Sequence, residues 1–207
     1  LIILCLSNDF LLVYMGIELQ SLAFYVLATF KRNSEFNNEA GLKYFILGSF
    51  SSCLLLIGFS FFYLALGSTS FDILFKLSEN RDTFNLVSFA FVLTMVAFFF
   101  KVGAAPFHMW ICDVYEGSLL SVTSFFAIVP KTVIFYLLFK IFFVTFSSYG
   151  ELWSSGFILI GLLSVGVGSI TALYQKKTKR LLAYSAVGHV GFILLGISSG
   201  TVDSIKS

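Results

Sequence analysis

Residues Phe84 to Pro106 read FNLVSFAFVLTMVAFFFKVGAAP. The run is apolar enough to cross a bilayer, whose hydrocarbon core takes about 20 residues of α-helix. A lysine, Lys101, stands inside it, and Gly103 and Pro106 follow directly. Proline withdraws a helical hydrogen bond, and glycine loosens the turn before it. A helix that breaks beside a charge survives in lipid only where the charge and the freed carbonyls meet protein or water. The stretch therefore predicts an all-α, multi-pass transmembrane bundle with a discontinuous helix near Gly103–Pro106. An ordinary proline kink explains Pro106 equally well on this feature alone.

The remainder of the chain fits a membrane protein. Of its 207 residues, 58% are hydrophobic and 12% are charged, with a mean hydropathy of +0.95 and a formal net charge of +2. Soluble domains carry about 25% charged residues. Composition thus excludes a soluble enzyme, a disordered chain and a nucleic-acid binder. Cys5, Cys53 and Cys112 lie in or beside apolar runs without a CxxC spacing. They read as small hydrophobes, not as disulfide partners or zinc ligands. The 27 phenylalanines read as free exchange of one large apolar residue for another on lipid-facing surfaces.

Six stretches have spanning length: Phe10–Phe30, Ala40–Leu66, Phe84–Trp110, Leu119–Phe146, Trp153–Gln175 and Leu181–Gly200. Short polar segments separate them, among them Ile111–Ser118 and the KKTKR run at Lys176–Arg180. Neighbouring helices should be antiparallel, and residues 1–207 should form one transmembrane domain. Loops one, three and five carry Lys31, Arg32, Lys176, Lys177, Lys179 and Arg180, whereas the other side carries Lys76, Arg81 and Lys206. The bias puts those three loops in the positive-inside compartment. Leu1–Leu6 reads as the tail of an earlier helix. With no initiator methionine and no charged, cleavable leader, the chain is expected to be one piece of a longer membrane protein.

Charges in mid-membrane are functional candidates by default, because each costs about 2.5–3.5 kcal/mol to insert. Measured from the inner end of each span, Glu18 lies about 18 Å deep, Lys101 about 14 Å, Lys131 about 18 Å and His189 about 12 Å. Four helices thus contribute to one middle zone. Both prolines of the chain, Pro106 and Pro130, fall within five residues of a mid-membrane lysine. That coincidence marks Pro130 as a second candidate helix break. Lys140 counts to about 32 Å, the outer interface, where snorkelling explains it. Lys43 counts to about 5 or 10 Å depending on where its helix starts. It reads either as a snorkelling lysine or as a partner of Glu18. Removing a lysine from water weakens its hold on its proton, and a nearby carboxylate strengthens it. A row of such groups, wetted internally, is a proton path. No GxSxG, HExxH or Walker loop is present, and His108 and His189 are too isolated for a metal site.

These same residues carry a family resemblance. Met15–Ser52 (MGIELQSLAFYVLATFKRNSEFNNEAGLKYFILGSFSS), Phe100–Ser118 (FKVGAAPFHMWICDVYEGS) and Lys179–Gly196 (KRLLAYSAVGHVGFILLG) resemble subunit 2 of the proton-pumping NADH:ubiquinone oxidoreductase, respiratory complex I. The resemblance implies an antiporter-like fold of fourteen helices with two inverted five-helix bundles. It places this chain from the end of the fourth helix through the tenth. It also implies that Glu18 is the essential glutamate and Lys43 its partner. Lys101 would be the lysine of the broken seventh helix, and Lys131 that of the eighth. His189 is a weaker relay candidate. Gly117–Val122 reads GSLLSV where the family has a proline-bearing, GSPTPV-like segment.

The implied function is proton translocation driven by electron transfer elsewhere in the complex, in the mitochondrial inner membrane, from an organelle-encoded chain. The implied partners are the other membrane-arm subunits, lipids, and a second polypeptide supplying helices eleven to fourteen with their lysine. No NADH, flavin, iron–sulfur, quinone or metal site is expected in this chain, and no nucleic-acid contact. Two other readings use the same residues: a subunit of a multisubunit cation/proton antiporter, and a scaffold with an inactive channel.

Overall fold

A helix in lipid must satisfy its backbone within itself, so its ends fall where the sequence supplies a cap or a residue that cannot continue. The computed structural model describes residues 1–30, 34–77 and 84–199. Lys31, Arg32, Arg81 and Lys206, which enter the charge bias, and the expected end of the sixth span at Gly200 lie outside the described residues. Those described form α1 (Ile2–Leu6), α2 (Phe10–Ala28), α3 (Glu35–Leu66), α4 (Phe71–Leu77), α5 (Phe84–Val102), α6 (Met109–Gly117), α7 (Leu120–Leu138), α8 (Gly150–Leu173) and α9 (Thr178–Ser198). A π-helical turn, Phe139–Thr145, extends α7. Among the described residues, six helices are long and apolar enough to cross a membrane: α2, α3, α5, α7 with its extension, α8 and α9.

The boundaries differ from expectation for local reasons. α3 starts at Glu35, not Ala40, because extended Ser34 offers its carbonyl to the amides of Asn37 and Asn38, each at 3.1 Å. Glu35 then suits the positive end of the helix dipole. This start puts Lys43 about 12 Å into its helix. α5 ends at Val102, well before Trp110. Gly103 takes a φ of +79°, and a Cβ there would lie 1.7 Å from Ile111 Cδ1, so only glycine permits the turn. The segment Ile111–Ser118, expected as a loop, lies almost wholly in α6. Its Asp113 and Glu116 look like polar punctuation, yet Trp110, Ile111, Val114 and Tyr115 form one buried helical face. The expected break at Pro130 is absent: α7 runs through it and widens only at Phe139. A bundle tolerates the missing N–H where neighbouring helices surround it.

The phenylalanines are core as well as lipid-facing surface, which corrects the compositional reading. Phe10, Phe62, Phe91, Phe142 and Phe146 are among the largest fully buried side chains. Phe10 stacks on Phe59 at 4.3 Å and Phe62 on Phe146 at 4.7 Å between centroids. In a bilayer the alternative to these contacts is lipid, so close packing rather than exclusion of water holds the cluster. Lys140 is not snorkelling freely: it is half-buried, donates to the Ser7 carbonyl and lies 5.5 Å from the Phe71 ring centroid.

α8 and α9 form a close antiparallel pair. A Cβ on Gly168 would meet Gly188 N at 2.6 Å and Gly188 Cα at 2.9 Å, backbone atoms that cannot yield. Nothing lies within 4 Å of a Cβ built on Gly166, two residues earlier. Gly168→Ala should therefore destabilise the pair by about 1–3 kcal/mol through overpacking. Gly166→Ala should be neutral or slightly stabilising, since alanine favours a helix by up to about 1 kcal/mol. Thermal midpoints of the two solubilised variants give the comparison; equal midpoints would remove close backbone approach as the cause.

Candidate functional site

Ending α5 at Val102 releases backbone groups that a continuous helix would use, and the side chains that take them up build the site. The Gly103 N–H turns back to the carbonyls of Phe99 at 2.9 Å and Phe100 at 3.1 Å. Trp110, in the first turn of α6, donates its indole Nε1–H to the Phe100 carbonyl at 2.9 Å. Its ring stacks on Tyr44 of α3, with centroids 4.7 Å apart and planes at 9°. The Ala105 N–H donates to Oγ of Ser164, a fully buried residue of α8, at 2.9 Å. Gly103 and Pro106 both fall inside the break, as the sequence predicts.

Lys101 sits in the last turn of α5 and donates to Ser52 Oγ of α3 at 2.9 Å. Lys131, one residue beyond Pro130 in α7, is 9% exposed, and its Nζ has no hydrogen-bond partner among the described residues. The two lysines line one cavity of about 40 Å³, together with Gln20, Tyr25, Tyr44 and Trp110. Gln20 Oε1 is likewise buried without a partner. A water needs about 10–15 Å³ of such space and two to four polar partners, so there is room for about three. Pro130 has no N–H to return to the Phe126 carbonyl, and both residues line the same cavity. The arrangement holds two amines on one small cavity whose walls are mostly aromatic and aliphatic, with Gln20, Ser21, Ser51 and the two tyrosines as polar points that water can bridge.

Three expected members stand elsewhere. Lys43 pairs with Glu39 at 2.8 Å and with Asp113 at 2.9 Å, not with Glu18. Its nearest carboxylates come from its own helix and from α6, whose helical nature the sequence reading missed. Glu18, in the middle of α2, keeps a buried Oε1 without a hydrogen-bond partner among the described residues, within electrostatic reach of Lys101 but outside its cavity. His189 is exposed and lies 3.4 Å from Ser185 Oγ, because α9 buries its Ala183, Val187, Val190 and Leu194 face instead. It lines two open grooves to which neither Lys101 nor Lys131 contributes. Trp110, Ser52, Ser164 and Asp113 were not singled out by the sequence. A signal existed for Asp113: acidic DVYEG and basic KKTKR are complementary runs. Among the described residues, no group of three or more His, Cys, Asp or Glu is placed to hold a metal ion.

That complementarity is realised at one end of the bundle. Arg180 reaches Asp113 at 3.4 Å, and both Lys177 and Arg180 bond Glu116. Lys179 donates to the Ser118 carbonyl at 2.8 Å. The network borders an open cleft of about 470 Å³ that also reaches Lys43. Loops three and five therefore share one end of the bundle, as the charge bias requires.

A family model described as NADH:quinone oxidoreductase/Mrp antiporter, transmembrane part, matches residues 7–207. NADH-ubiquinone oxidoreductase chain 2 of Marchantia polymorpha is 45% identical over 97% of this chain and 42% of its own length. NADH-quinone oxidoreductase subunit N of Rhodospirillum rubrum is 43% identical over 97% of this chain and 41% of its own. A chain of respiratory complex I from Thermus thermophilus superposes with a TM-score of 0.81 at 33% identity, over 96% of this chain and 42% of that one. A chain of the Mrp complex from Dietzia sp. DQ12-45-1b shares the fold, with a TM-score of 0.84 at 23% identity over 92% of this chain and 36% of that one. The chain thus spans about two fifths of the length of these relatives.

The Lys177 hydrogen bond, with Arg180 adding to it against some desolvation, holds the Glu116 carboxyl below the usual carboxylate range. A lowered folded pKa adds stability that is full above the unfolded value and is lost as pH falls through the folded one. Wild type should exceed Glu116→Gln in thermal midpoint above about pH 5, by an amount worth about 1 kcal/mol or less, and the two should converge at lower pH. A difference independent of pH would mean that the glutamate acts through packing instead.

Proposed function

We propose a function on one premise: this chain belongs to the NADH:quinone oxidoreductase/Mrp antiporter transmembrane family. It is a proton-translocating piece of the membrane arm of NADH:ubiquinone oxidoreductase, acting in the mitochondrial inner membrane. The observation that carries this reading is the cavity shared by Lys101 and Lys131 beside a broken helix. The names of these two relatives support the oxidoreductase as its setting.

The chemistry follows from the geometry. Lys101 as an ammonium is held by Ser52 at the edge of the cavity. It releases a proton to cavity water, and the water passes a proton to the neutral amine of Lys131. One N–H bond breaks and another forms, with no net change in the cavity's charge. A lysine without a fixed partner, such as Lys131, keeps both protonation states accessible. Lys43 stands in the inner cleft between Glu39 and Asp113, and Glu18 keeps a free carboxylate oxygen in α2. Those two groups modulate the relay, and His189 has no part in the step between the two lysines. Electron transfer belongs to other subunits, and NADH, flavin and quinone bind elsewhere.

The exposed apolar side chains along α8 and α9, including Leu162, Ile170 and Phe192, require lipid or protein against them. The partners are other membrane-arm subunits and a second polypeptide supplying the family's remaining helices. An exchanger subunit uses the same fold, and dependence on NADH separates the two readings.

Lys101→Met and Lys131→Met should each leave the complex assembled and lower NADH:quinone turnover and the proton-to-electron ratio severalfold. Both are measured on sealed vesicles with a blue-native gel as the assembly control. Unchanged ratio and turnover in both variants would refute the relay, and transport driven by sodium or potassium without NADH would favour the exchanger. Intact pumping in the Glu18→Gln, Lys101→Met double variant would indicate a scaffold.

A further inference from the structure

We propose that Ser164 is a positioning residue of the proton path: it fixes the backbone of the break, and so the Lys101 ammonium, from the α8–α9 pair. The inference rests on the reading of Lys101 as a proton-transfer group. Ser164 is 0% exposed, and its hydroxyl is committed at both ends. It donates to the Ile160 carbonyl of its own helix at 2.7 Å and accepts the Ala105 N–H at 2.9 Å. The first bond fixes the direction of the oxygen lone pairs that take the second.

The α8–α9 pair grips the interrupted segment at both ends. Ser164 holds Ala105 where the break opens, and Lys177 and Arg180 hold Glu116 where α6 closes. Arg180 also reaches Asp113. Between these grips lies Trp110, bonded to the Phe100 carbonyl one residue before Lys101. The pair itself is tight, with the backbones of Gly168 and Gly188 in near contact. A shift of α8–α9 therefore reaches the break as one movement. It alters the carbonyl geometry of the last turn of α5, and with it the direction of Lys101 toward Ser52 or toward the cavity it shares with Lys131. Ser164 lies outside that cavity, so it acts through the backbone alone.

The test is deuterium exchange of the peptide spanning residues 103–108 in the assembled membrane complex, paired with the proton-to-electron ratio. In Ser164→Ala the buried Ala105 N–H loses its acceptor, and its exchange should quicken about tenfold, the scale of one orphaned buried hydrogen bond. The ratio should fall with it. Ser164→Thr, which keeps the hydroxyl, should restore both. If the added methyl prevents assembly, Ser164→Cys, a weaker acceptor, should fall between wild type and alanine. Unchanged exchange in Ser164→Ala overturns the proposal, as does faster exchange with an unchanged ratio. Lys101→Met run alongside separates the two ideas. An unaltered ratio there removes the role of Lys101, while the exchange comparison still decides whether Ser164 holds the break.

Discussion

Inside a bilayer, every backbone group that a broken helix releases must find a partner within the protein. The structure around Gly103–His108 is arranged to meet that demand. Gly103 folds its amide back onto Phe99 and Phe100, Trp110 covers the Phe100 carbonyl, and Ser164 takes the Ala105 amide. Each partner comes from an element that must stay in place for the break to persist. Trp110 needs the Tyr44 stack on α3, and Ser164 needs α8 against α5. The break therefore ties α3, α5, α6 and α8 together at the level of Lys101. A continuous helix there would need none of these contacts and would leave Lys101 one wall among several.

The same constraint explains what the sequence disclosed. Spanning helices announce themselves because each must be apolar along its length, so all six were readable. The break was readable because glycine and proline flank a lysine that lipid alone does not tolerate. Lys101 and Lys131 met in one cavity as their depths predicted. Depth says nothing of rotation about the helix axis, however. His189 has the right depth and points outward from this chain, because α9 turns its small and branched residues toward its neighbours. α6 was invisible because nine residues carrying two carboxylates look like a loop until KKTKR is folded against them. Missing α6 also concealed Asp113 as the partner of Lys43. Pro130 shows the reverse error, a breaker by type that the surrounding helices absorb.

Charge is distributed on two different principles at the two depths. At the inner end, Lys43, Lys177 and Arg180 face Glu39, Asp113 and Glu116 in an open cleft. Paired and wet, such groups cost little, and each pair contributes about 1 kcal/mol or less. Their value is positional: they fasten α6 to α3 and α9. In the interior, a fully paired lysine would be locked in its charged state. A carboxylate held against it would bind the proton more tightly and slow its release. Among the described residues the interior lysines have no carboxylate hydrogen-bonded to them: Ser52 holds Lys101, on which Glu18 acts only through space, and cavity-lining polar groups face Lys131.

Lys43 and Lys131 make that contrast concrete, since residue type alone does not separate them. Lys43 has a side chain 42% exposed and two carboxylates within 3 Å. Taking the charge off Lys43 means first parting an ion pair. Lys131 is 9% exposed with no fixed acceptor. The cavity beside it is lined by polar, aromatic and aliphatic side chains and has room for about three waters. A carrier that loads and unloads in every cycle needs the second environment, and a group that holds helices in register needs the first. The two lysines of one chain thus differ in whether a carboxylate stands against the amine.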